Sequence, residues 1–233
     1  MTTGEIINAL RDMSVDNMGA TEGVIVSRAV WEYGTLPKNG AEREALAEEI
    51  VKKAEQMKDR KTEVSGCEYP SAMILLFAAY NITGDESYKN VITELEKSDR
   101  YMGLTFDMNY ETAFGGKEHY HALTVKFAEI KEQTRTQEKQ EALFMLALAD
   151  TIAAIAEPVY ELYRLLVDMY RDELSKLIAA AWQREGRTPV GVGEESVAIF
   201  TDAEAQCIMS LALKKACSLK VVLAQKYERY INE

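Results

Sequence analysis

The chain is poor in the residues that break regular structure. Four prolines and 13 glycines in 233 residues exclude a collagen-like, loop-built or disordered protein. Cysteine is scarce as well: Cys67, Cys207 and Cys217 form an odd, scattered set with no CxxC pair. That spacing points to free, mostly buried thiols rather than a disulfide framework, and places the chain in the cytoplasm. Positive charge is in deficit, with 27 Lys+Arg against 38 Asp+Glu and a net charge of −11. Phosphate contacts dominate nucleic-acid affinity, so this balance excludes nucleic acid as the expected partner, and an anionic membrane surface too. Long apolar runs are missing. The most apolar window, 143–156, is interrupted by Asp150 and too short to span a bilayer. The first residues show no basic segment leading into an apolar run, so no secretion signal is expected there. Histidines number two, His119 and His121, and no HExxH or clustered acid pattern exists, so neither a metal nor any other cofactor is expected.

What the chain does have is helical periodicity, repeated almost from end to end, with no convincing alternating strand. The pattern predicts helices near 3–13, 20–33, 41–58, 69–82, 86–97, 101–112, 117–132, 137–155, 159–182, 197–216 and 218–230. The punctuation between them is short. In Thr83-Gly84-Asp85 the glycine ends one helix and the aspartate caps the next. Gly115-Gly116 does the same before Lys117, and 183–195 reads as a long loop.

Two kinds of helix alternate. Tyr88, Val91, Ile92 and Leu95 form one apolar stripe, and Tyr120, Leu123, Phe127 and Ile130 another, each with a charged opposite face. The stretches 72–79, 143–155 and 208–213 are instead apolar nearly all round, which implies burial on several sides. An inner set of helices wrapped by an outer set gives this alternation. The spacing of helix pairs drifts, which favours a closed toroid over a solenoid of fixed repeat. No linker or composition shift marks a boundary, so the expectation is a single helical domain over 1–233.

Three segments carry a resemblance. They are Leu75 to Tyr88 (LLFAAYNITGDESY), Tyr101 to His121 (YMGLTFDMNYETAFGGKEHYH) and Ala142 to Ile155 (ALFMLALADTIAAI); the run Thr201 to Tyr227 adds a fourth. Together they resemble the unsaturated rhamnogalacturonyl and glucuronyl hydrolases over roughly residues 65–230. The resemblance implies an all-α fold, an (α/α) toroid of helical hairpins in shortened form. It also implies a hydrolase acting on a small unsaturated oligosaccharide. In that chemistry an Asp protonates the C4=C5 double bond of an unsaturated uronic acid, water adds, and the hemiketal collapses to release the sugar.

Carried onto this chain, the resemblance points to Asp99 and Glu68 as the catalytic carboxylates and to Tyr101 and His121 as substrate contacts. Ser98 occupies the family's usual acid position, three residues before Tyr101, and the acid stands one residue on. The family's Trp/Gly/Arg-rich stretch ahead of the third segment is replaced by Lys131-Glu-Gln-Thr-Arg-Thr-Gln-Glu138. Two readings stay open: a compact hydrolase, or a non-catalytic helical binding or interaction scaffold in which Glu68 and Asp99 are helix-start acids. Outside the resemblance, Tyr160, Tyr163 and Tyr170 read as a packing seam. Asp150 and Asp202 read as interior polar groups; a buried aspartate must be bonded or neutral, so Asp150 is expected to tie helices together.

Overall fold

The computed structural model describes residues 1–15, 19–58, 73–96, 103–116, 118–134, 137–155, 160–187 and 197–231. The described regular elements are all helical. The chain divides into two compact units, Met1–Gly116 and Lys117–Glu233.

The first unit holds α1 (Thr3–Asp12), α2 (Ala20–Thr35), α3 (Ala41–Lys58), α4 (Ile74–Thr83), α5 (Glu86–Glu96), α6 (Leu104–Tyr110) and a π-turn over Glu111–Gly115. Helix α1 starts in a capping box. The Glu5 amide donates to Thr2 Oγ1 at 3.3 Å, and the Thr2 amide donates to Glu5 Oε2 at 2.6 Å. Those bonds hold the Glu5 carboxyl below the usual range. The other end of α1 is closed from α3: Lys53 Nζ donates to the carbonyls of Arg11 at 3.1 Å and Met13 at 2.8 Å. Helix α4 is the centre of the unit. Residues Ile74 to Ala79 are all buried, and α4 packs on α2, α3, α5 and α6. This matches a helix apolar all round.

The α4–α5 joint follows the sequence reading closely. Gly84 adopts the left-handed conformation at φ 68°, where a side chain would be strained. The Ser87 amide donates to Asp85 Oδ1 at 2.8 Å, and this capping holds the Asp85 carboxyl down. Tyr88, Ile92 and Leu95 of α5 enter the core, as the stripe predicts. Helix α6 differs from expectation. It is α-helical only to Tyr110 and then widens into the π-turn, ending at Gly116 with φ 75°.

The second unit holds α7 (Tyr120–Thr134), α8 (Glu138–Ala154), α9 (Tyr160–Arg184), α10 (Ala203–Ser218), α11 (Ala224–Tyr227) and a 3₁₀ turn over Glu228–Tyr230. Helices α8 and α10 pack most intimately, with α7 and α9 against α8. Tyr120, Leu123 and Phe127 are buried, and Phe127 meets Phe144 of α8 edge-on, with ring centroids 6.1 Å apart. Lys131 of α7 and Glu173 of α9 are joined at 2.5 Å.

Four expectations need correction here. The helix read from residue 197 begins at Ala203. Residues 197–200 instead run into the core as a non-helical apolar segment, with Val197, Ile199 and Phe200 buried. The helix read over 218–230 shrinks to α11 and a 3₁₀ turn, because Lys220 takes φ 59° and breaks the chain's helical path. Tyr160 is 67% exposed, so the tyrosine seam of α9 reduces to buried Tyr170 and half-buried Tyr163. Cys207 is exposed and Cys217 half-buried, so the thiols are less buried than their scarcity suggests; Cys67 lies outside the described residues. Among the described residues, no helix is long and apolar enough to cross a membrane.

Candidate functional site

Glu68, Asp99 and Tyr101 lie outside the described residues. What the structure describes is the pair of helices they lead into. Glu68 precedes Ile74 of α4 by six residues, and Asp99 precedes Leu104 of α6 by five. Neither helix carries a side-chain cap of its own: Met73 and Gly103 stand at the N-cap positions, Gly103 with φ 88°. The two helices pack on one another within the first unit. A helix start with free amides favours negative charge ahead of it. His121 is exposed in the first turn of α7, and His119 just before it is exposed too. The structure therefore places one of the four sequence-derived site residues and does not describe the other three.

The described residues also hold buried charge, in five arrangements. Asp150 of α8 accepts a short hydrogen bond from Lys215 Nζ of α10, and both side chains are buried. The expected tie between helices is thus present, with lysine as the partner. Lys53 has its ammonium on two carbonyls, and burial pushes its pKa down although Glu49 opposes the shift. Arg11 reaches Glu49 Oε1 through Nε at 2.9 Å and Nη2 at 2.6 Å. Glu111 is buried in the π-turn with its carboxyl against Gly115, where a methyl group would sit 2.5 Å from Oε1. On α2, Arg28 Nη2 pairs with Glu32 Oε1; the side chains are 12% and 20% exposed. Arg28 Nε is buried without a hydrogen-bond acceptor.

Asp202 is a further correction: it is exposed and caps α10, accepting from the Ala205 amide at 2.7 Å. Tyr170 is fully buried and its hydroxyl has no hydrogen-bond partner, so burial drives its pKa well up. Among the described residues, no group of three or more His, Cys, Asp and Glu side chains could hold a metal ion.

Sequence reading missed Lys215, Glu111 and Arg28. Lys215 had a signal, since it falls on the apolar stripe of Ile208, Leu211 and Ala212 at helical spacing. Glu111 had a weaker one, a glycine four residues on. Arg28 had none beyond Glu32 at i+4.

The sequence matches no protein-family model and no curated protein. The fold does have a likeness among solved structures. A glycoside hydrolase of family 105 from C. acetobutylicum ATCC 824 is similar over 98% of this chain and 79% of its own, with a TM-score of 0.59 and 15% sequence identity. The fold class is thus all-α, of the (α/α)-toroid type that the sequence resemblance implied.

Proposed function

We propose that this chain is a glycoside-hydrolase-like protein of the kind that hydrates and cleaves unsaturated uronyl oligosaccharides. One observation carries the reading. The chain shares its fold along 98% of its length with a family 105 glycoside hydrolase. Of the segments resembling the unsaturated uronyl hydrolases, Leu75 to Tyr88 runs along α4 into α5, and Tyr101 to His121 contains α6. In this proposal Asp99 is the general acid that protonates the C4=C5 bond, and Glu68 is its partner carboxylate. Tyr101 and His121 contact the sugar. A general acid needs a stable approach to the bond it protonates, and two short stretches ahead of packed, uncapped helix starts are suited to carry such groups.

A second reading has its own observation. Ser98, not an acid, stands three residues before Tyr101, and one residue is about 100° of helix. An acid displaced by one position along the sequence supports a non-catalytic scaffold that binds an oligosaccharide or a protein.

The conjugated C4=C5 bond of an unsaturated uronic acid absorbs in the ultraviolet, and hydration removes the absorbance. The expected outcome is bleaching of an unsaturated galacturonyl disaccharide by the protein. Asp99→Asn should slow it by on the order of 10²–10⁴ while far-ultraviolet circular dichroism stays unchanged. Absence of bleaching by the folded, unmodified protein would overturn the hydrolase reading in favour of the scaffold. Bleaching that survives Asp99→Asn would overturn the assignment of the acid alone.

A further inference from the structure

We draw no further inference here: the strongest candidate, the half-buried aromatic patch of Tyr80, Tyr110 and Phe114 where α4 and α6 end, with Lys89 Nζ 5.6 Å from the Phe114 ring centre, carries nothing, because nothing in the structure shows what covers it.

Discussion

Each unit buries a lysine, and the two lysines are held in different ways. The second unit brings its two charges together: Lys215 and Asp150 meet between α8 and α10, the most intimately packed helices there. Lys53 gives its ammonium to neutral carbonyls at the end of α1, and Glu111 sits in a π-turn whose fifth residue is glycine. Pairing brings strong attraction with a large penalty if one partner is lost. Backbone solvation and a made-to-measure turn give less attraction and a more graded failure.

The largest difference should therefore be seen at Asp150. Asp150→Ala removes a buried partner of Lys215 and should cost about 3–5 kcal/mol in chemical denaturation. The double variant Asp150→Leu with Lys215→Met should recover most of that loss. If the single change costs under about 1 kcal/mol, the contrast between the units collapses.

Gly115→Ala should cost about 1–3 kcal/mol, since its methyl group would lie 2.5–2.9 Å from the Glu111 carboxyl. Adding Glu111→Ala removes the clash, so the pair should show strong coupling in a double-mutant cycle. Additive losses would mean that Glu111 does not require the glycine.

The smallest effect belongs to Lys53, and pH reveals it. Burial lowers the Lys53 pKa in the folded state below the 10.5 of the exposed group. In the window between those values the unfolded chain binds more protons than the folded one, so stability rises with pH there. Below the folded pKa both states are charged and the cost of burial is fully present. The stability of the unmodified protein relative to Lys53→Met should thus improve as pH climbs toward 10.5, and a denaturation series over that range measures it. A relative stability that falls would reverse the sign of the shift.

Much of this architecture was legible from local pattern. The 41–58 helix, the Gly84-Asp85 joint and the all-round burial of 72–79 depend on neighbouring residues, and the structure agrees at Ala41–Lys58, at the joint, and at Met73–Ala79. Asp150 was legible too, because an acid in an apolar helix demands a partner. The start of α10 was not. The 197–202 segment has apolar residues that suit a helix, yet it is held by side chains from 6 to 64 residues away. Glu138 accepts from the Thr201 and Asp202 amides at 2.9 and 2.8 Å, Gln206 from the Phe200 amide at 3.0 Å, and Arg184 Nη2 donates to the Ala198 carbonyl at 2.8 Å. No window of neighbouring residues contains that information. The π-turn escaped for a related reason. Its first turn has ordinary helical composition, and only the fit of Glu111 over Gly115 distinguishes it. Of the candidate site, residue types and their order along the chain were legible. Arg28 was not, because nothing near it along the chain beyond Glu32 at i+4 signals a shielded charge.

The grip of Glu138 and Gln206 on the segment before α10 reaches into hydrogen exchange. The amides of Phe200, Thr201 and Asp202 belong to no helix and no sheet, yet each donates to a carboxylate or carboxamide anchored on a packed helix. Their protons leave only when the side chain of Glu138 or Gln206 lets go. In a map of exchange rates this irregular stretch would carry the protection of the helices that hold it, and would report the loosening of the second unit earlier than the helices' own interiors.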